Sequence, residues 1–137
     1  MEPSAIPSGF VVCPIPDGQF AELVGPLYMK RHATGTSYGF RVEPRHANAH
    51  GNIHGGMLMT LADQILGLTV AEALGHLSLV TLSLNNEFVA AANVSDWLVG
   101  RAEIIRRTQS LVFIRGTIRR GDDFVLNSSG IWRHFSS

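Results

Sequence analysis

Two features in the middle of the chain have the residue types to do chemistry: the pair Gly55-Gly56, and Asp63 eight positions beyond Gly55. A glycine pair at the start of a helix lets a ligand come close to the backbone. The first N–H groups of a helix lack internal acceptors and carry the positive end of its dipole. Such an end holds an anion or polarises a carbonyl; the same pair also reads as a plain loop-to-helix junction in which glycine only relieves crowding. Asp63 lies in the apolar run Met57-Leu58-Met59-Thr60-Leu61-Ala62-Asp63-Gln64-Ile65-Leu66-Gly67-Leu68. A carboxylate buried in such a run is costly unless paired, and one held there is suited to act as general base or nucleophile. A structural carboxylate tied to an arginine, or a helix face open to water, are the alternatives.

Helix geometry constrains any joint role. Eight residues span roughly 12 Å of helix at about 1.5 Å per residue. A polarised carbonyl and its attacking group must lie within about 3–3.5 Å. One copy of the helix therefore cannot offer both its N-terminus and Asp63 to one carbon. If both act, two helices from two subunits pass antiparallel, and the protein is an obligate dimer with paired sites.

Other schemes find less support. His46, His50 and His54 follow an i, i+4, i+8 spacing that on a helix would suggest metal ligands, with Asp63 as a further one. Asn48, Gly51, Asn52 and the glycine pair make that stretch a poor helix, and no His-Glu-x-x-His or Cys-x-x-Cys occurs. No metal is expected; His46 and His50 read as solvent-facing, and His54 as orienting the loop by hydrogen bonding. There is no Gly-x-Ser-x-Gly elbow, Walker loop or dinucleotide fingerprint. Cys13 has no convincing base nearby. Arg106, Arg107, Arg115, Arg119 and Arg120 read either as a basic rim for a phosphorylated ligand or as a solvated sheet face.

The elements that must position these residues follow from punctuation and periodicity. Four of the six prolines fall within residues 1–18, an extended and partly mobile arm. Phe20–Val24 reads as a short helical turn stopped by Gly25-Pro26. Leu27–Lys30 and Ser37–Val42 read as strands around Ala33-Thr34-Gly35. A polar loop, Glu43–Gly56, leads to one helix over about Gly55–Leu74, ended by Gly75. Beyond it the period becomes two: Leu82 and Leu84 alternate with Thr81, Ser83 and Asn85. Leu98, Gly100, Ala102 and Ile104 share a parity, as do Val112, Ile114, Gly116 and Ile118. Gly121-Asp122-Asp123 is a hairpin turn before a last strand, about Phe124–His134. A helix apolar on nearly all sides must be covered nearly all round. The expected architecture is α+β, a curved antiparallel sheet wrapped about one central helix, with residues 1–19 as an arm and 20–137 as a single domain.

The composition of the 137 residues agrees with one domain: 45% apolar, 16% charged, eleven basic against eleven acidic residues. Zero net charge argues against a general nucleic-acid binder. The charged share is below the roughly 25% of an ordinary soluble domain, as expected if surface is buried between subunits. A single cysteine and an opening with no secretory signal lead to an expectation of a reducing, cytoplasmic location. The apolar run Gly55–Gly75 contains Asp63, Gln64 and Glu72, so it reads as a core helix rather than a membrane span.

Asn48-x-x-Gly51-x-x-His54-Gly55-Gly56, followed by Asp63 in an apolar helix and then Thr81-Leu82-Ser83-Leu84-Asn85-Asn86-Glu87-Phe88, resembles the hotdog-fold acyl-CoA thioesterases of the PaaI (phenylacetic acid degradation) type. The similarity runs over residues 20–135. The resemblance implies a hotdog homodimer, usually paired into a homotetramer, that hydrolyses an aromatic or fatty acyl-CoA to free acid and CoA. It implies no cofactor, coenzyme A being part of the substrate. Carried over by position, the Gly55 N–H polarises the thioester carbonyl and Asn48 holds that oxygen or the attacking water. His54 supports the loop, Asp63 is nucleophile or general base, and Thr81 lies beside the carboxylate. Asp63 and Thr81 would face the Asn48 and Gly55 of a second subunit. Two other readings stand beside this one: a hydratase or dehydratase using His54 with Asp63, and a non-catalytic acyl-CoA-binding protein.

Overall fold

One helix of twenty residues, α2 (Gly55–Leu74), organises the structure. It is rich in good helix formers and has a defined stop at each end. His54, extended at φ −62° and ψ 136°, caps its start: the Nδ1 atom accepts the Gly56 N–H at 2.9 Å. Gly75 ends it in the left-handed region at φ 80°, its N–H donating to the Ala71 carbonyl at 2.8 Å. These are the bounds expected from the sequence. The structure, a computed structural model, describes residues 5–15 and 18–135.

Around α2 lie a short helix, α1 (Gly18–Val24), and strands β1 (Val11–Val12), β2 (Tyr28–His32), β3 (Gly35–Arg41), β4 (Leu79–Phe88), β5 (Trp97–Arg107), β6 (Leu111–Arg120) and β7 (Asp123–His134). Among the described residues these strands form one antiparallel sheet in the order β1-β2-β3-β5-β6-β7-β4. The arm is part of it: Val11 and Val12 pair with Met29 and Tyr28. α2 packs across β4, β5, β6 and β7, the α+β hotdog arrangement. The core is where the parity of β5 and β6 puts it. Leu98, Val112, Ile114 and Ile118 are buried, while Arg101, Glu103, Arg115 and Arg119 lie on the other face. Glycines set how close the helix comes. A Cβ on Gly100 would stand 2.5 Å from Ile65 Cδ1, and one on Gly116 would stand 2.8 Å from Leu66 Cδ1.

Two expectations need correction. The helix is not covered all round: Met57, Leu58, Leu61, Ala62, Ile65, Leu66, Val70 and Ala71 are buried, whereas Met59 and Asp63 are exposed. A single sheet covers only the stripe that faces it. Leu82 does not share the inward face with Leu84. The register against β7 shifts between Thr81 and Ser83, so Leu82 is an extra residue and stands 56% exposed. A bulge of this kind turns the parity of a strand over.

Candidate active site

The same bulge aims Thr81 at the helix. Its Oγ1 donates to Asp63 Oδ1 at 2.6 Å, the length of a strong hydrogen bond to an ionised acceptor. Thr81 pairs in register with Trp132 on the strand before the shift, and Leu84 pairs with Gly130 after it. Asp63 is not buried in the protomer. It sits on the open side of α2, and no arginine pairs with it among the described residues. Of the alternatives left open for it, the helix face open to water describes the single chain. With Oδ1 held by Thr81, Oδ2 is left to face a substrate or a water.

Asp63 and Thr81 border a cleft of about 230 Å³ between α2 and β4. Its walls include Gln64, Gly67 and Leu68, which follow Asp63 at helical spacing, with Leu77, Leu79 and Ile15. Sequence reasoning left these out of the site. The i, i+1, i+4, i+5 pattern from Asp63 was the available signal for the helix residues; nothing local marked Ile15 in the proline-rich arm.

The helix start builds a second feature. Asn48 folds the loop back on itself: its Oδ1 accepts the His50 N–H at 2.9 Å and the Asn52 N–H at 3.2 Å, while its own N–H donates to the Asn52 carbonyl at 2.7 Å. Gly51, at φ 80°, supplies the left-handed turn this needs. The cap engages Gly56, and the N–H groups of Met57 and Leu58 reach the His54 carbonyl. The Gly55 N–H has no acceptor among the described residues. It is a free donor at the positive end of a twenty-residue helix. Asn48 and Gly55 border a hollow of about 340 Å³ with Phe88 and Leu58, and none of its lining residues is shared with the Asp63 cleft. The structure thus brings Asp63 to Thr81, and Asn48 to Gly55 and His54. It does not bring the two groups together within one chain.

The histidines diverge. His50 is exposed and His54 is the cap. His46, expected at the surface, is buried at 4% exposure. Its Nδ1 accepts the Glu43 N–H at 3.0 Å, its Nε2 lies 2.7 Å from the Val24 carbonyl, and its ring packs on Phe40. A 3-10 turn at Pro44–His46 carries it inward. Burial pushes its pKa below the ordinary 6.5, against the hydrogen bond to Val24. The described residues contain no cluster of three metal-ligating side chains. Arg115 and Arg119 share a hollow on the outer face of the sheet with Arg101. Arg115 pairs with Glu103, Arg119 lies over the Phe124 ring, and Arg120 pairs with Asp96 and Asp123.

The signature of the thioesterase superfamily matches residues 50–126, more than half of the chain, and spans the helix start, Asp63 and Thr81. A Pseudomonas aeruginosa protein named as a putative esterase is 30% identical over 113 residues, covering 81% of this chain and 84% of its own. A hypothetical thioesterase from Streptococcus pneumoniae, solved with coenzyme A, superposes with a TM-score of 0.72 at 24% identity over 81% of this chain and 87% of its own. A Ralstonia eutropha structure described as a putative thioesterase, a phenylacetic acid degradation-related protein, gives 0.76 at 23% identity, over 88% of this chain and 92% of its own. These last two likenesses establish the fold; the superfamily signature and the Pseudomonas relative establish the lineage. This chain belongs to the thioesterase superfamily.

Proposed function

We propose that this protein hydrolyses an acyl-CoA thioester to a free acid and CoA, in a site shared by two copies of the chain. The observation that carries the reading is the Thr81–Asp63 hydrogen bond at 2.6 Å, at the edge of a cleft between α2 and β4 that Leu68, Leu77 and Leu79 line together with Gln64. The family supplies the reaction type, and the coenzyme A bound to the Streptococcus protein supports the leaving group.

The roles are those the resemblance implies, and the geometry supports them. The free Gly55 N–H of one protomer stabilises the negative charge that develops on the thioester oxygen. Asn48 holds the loop that presents it. Asp63 of the other protomer, fixed through Oδ1 by Thr81, uses Oδ2 to attack the carbonyl or to take a proton from water. Attack by Asp63 expels CoA thiolate and leaves an acyl–aspartyl anhydride that water opens. Attack by water passes its proton to Asp63, and collapse of the tetrahedral intermediate breaks the C–S bond, releasing the acid and CoA thiolate, which takes up a proton.

Dimer formation is supported by what the protomer leaves uncovered. Among the described residues β4 pairs with β7 on one side only; its Val80 and Leu82 are 48% and 56% exposed, and Met59 of α2 is 42% exposed. A ten-residue edge strand with exposed apolar side chains calls for a partner. A two-fold axis there would run two α2 helices antiparallel and set each Gly55 against the other copy's Asp63.

The test is release of free thiol from a set of acyl-CoA esters, followed with a disulfide reagent. Thiol release by the wild type and its loss in Asp63→Asn are expected. Hydration of an enoyl-CoA without thiol release would favour the hydratase reading. Against that reading stands His54, whose Nδ1 is occupied by the Gly56 N–H. Tight binding without turnover would mark a binding protein.

A further inference from the structure

One wall of the Asp63 cleft holds a buried donor that the protein itself does not use. Trp132 of β7 lines the cleft together with Asp63, Thr81 and Gly67, and it is 1% exposed. It pairs in register with Thr81, and residues opposite one another on two antiparallel strands share a face of the sheet. The indole therefore turns toward α2 on the same side as the Thr81 hydroxyl.

Two glycines fix how the ring lies. A Cβ on Gly130 would stand 2.5 Å from Trp132 Cζ3 and 3.2 Å from Cη2. The six-membered ring thus fills the space that a side chain at position 130 would need. The other end of the indole meets the helix at Gly67. A Cβ there would stand 3.4 Å from Nε1, against 3.8 Å from Cε2 and from Cζ2. The nitrogen is the ring atom nearest that point, and the missing side chain leaves it uncovered.

An indole N–H donates and cannot accept. That of Trp132 has no acceptor among the described residues, yet it is not sealed in the interior as Trp97 Nε1 is; it stands at the cleft. A donor left unmatched when a ligand displaces water costs free energy, and a ligand group that accepts from it avoids the cost. Gly67 lies four residues beyond Asp63, one helical turn or roughly 6 Å along α2. An extended acyl group with its carbonyl carbon at Asp63 covers that distance in about five bonds. Of the other polar side chains in the wall, Thr81 is bound to Asp63 and Gln64 adjoins it in the chain.

We infer that Trp132 is a specificity residue that reads an oxygen on the acyl group. Its Nε1–H donates to a carbonyl or hydroxyl oxygen about five bonds beyond the thioester carbon, and Gly67 leaves that oxygen room. Acyl groups oxygenated at that depth are preferred to bare hydrocarbon ones. This rests on the thioesterase reading and names the substrate class within it.

The experiment uses the full chain and compares kcat/KM for 5-oxohexanoyl-CoA and 5-methylhexanoyl-CoA, which match in shape and differ in the acceptor. The wild type is expected to prefer the oxo ester by about tenfold or more. Trp132→Phe keeps an aromatic ring and removes the donor, and the two esters should come to near parity. Gly67→Ala tests the same contact without emptying the core. Alanine is the better helix former, and its methyl meets the indole at an ordinary contact distance while crowding any acceptor on Nε1–H. The preference should fall there too, with Tm at or above that of the wild type. The ratio does not depend on how much of a variant folds, since both esters then fall together. A wild type that releases thiol from the oxo ester no faster than from its isostere, or a preference that survives in both variants, overturns the role of Trp132 alone. A wild type that releases no thiol from these or any other acyl-CoA ester overturns the thioesterase reading as well.

Discussion

Thr81 and Asp63 are eighteen residues apart in sequence and 2.6 Å apart in space, and the bulge at Leu82 is what joins them. Without that extra residue Thr81 would share its face with Ser83 and Asn85. With it, Leu79 and Thr81 face the helix before the shift and Leu84 and Asn86 do so after it. A single irregularity thus turns an edge strand of the sheet into one wall of a site.

Replacing Asp63 removes the group proposed to attack or to take the proton. Asp63→Asn keeps the shape, sits on an exposed face and still offers Thr81 an amide oxygen as acceptor. Thiol release should fall by about 100-fold or more with little movement in Tm. Thr81→Ala leaves the carboxylate but loses a hydrogen bond to a charged group, worth about 1.5–3 kcal/mol. Its kcat should drop about tenfold or more. Full activity in Asp63→Asn would remove this carboxylate from the mechanism.

Gly55→Pro isolates the free backbone donor. Proline is tolerated at the first position of a helix, where its missing N–H costs no internal bond. His54 already has the extended backbone favoured before proline. The nearest neighbour, Phe88 at 3.3 Å from an added Cβ, is 54% exposed and can give way. The helix should therefore form, while turnover falls about 100- to 1000-fold, as when one oxyanion donor is removed. Circular dichroism checks the first statement and steady-state kinetics the second.

His46 makes stability depend on pH. Burial holds its folded pKa below the ordinary 6.5. Between those two values the unfolded chain binds more protons than the folded one, so stability falls as the pH drops. The contribution is fully present above about pH 6.5 and is lost through the folded pKa. Protonation also ends the acceptance of the Glu43 N–H by Nδ1. Thermal melts from pH 8 down to 5 should show Tm declining below about 6.5, with a shallower decline in His46→Gln. Equal slopes in the two proteins would place the acid sensitivity elsewhere.

The parts of the fold governed by local rules were legible in the sequence. α2 begins at Gly55 and ends before Gly75 because a cap and a left-handed glycine act within one turn. The parity of β5 and β6 was readable because Gly100 and Gly116 mark where Ile65 and Leu66 press on the sheet. What depends on distant parts was not. No residue type announces the bulge at Leu82, since register is decided against β7, some fifty residues on. His46 reads as a surface loop residue until the Val24 carbonyl, 22 residues earlier, comes to meet it. Asp63 was placed from a run of apolar neighbours, but a helix with a nearly uniform apolar character does not reveal which side its sheet leaves open. At the site, the pairing of Asp63 with Thr81 came from resemblance, and the neighbouring residues of the cleft came only with the structure.

The proposed site is built from two half-sites on two chains, and mixed dimers test that most directly. Gly55→Pro and Asp63→Asn each disable both sites of their own homodimer. A dimer made of one copy of each has one site with Gly55 and Asp63 both intact and one with neither. Co-expressed with distinct tags and purified through both, such dimers should recover about half of the wild-type thiol release per dimer, against almost none for either parent. Mixed dimers as inactive as their parents would contradict a site shared between chains.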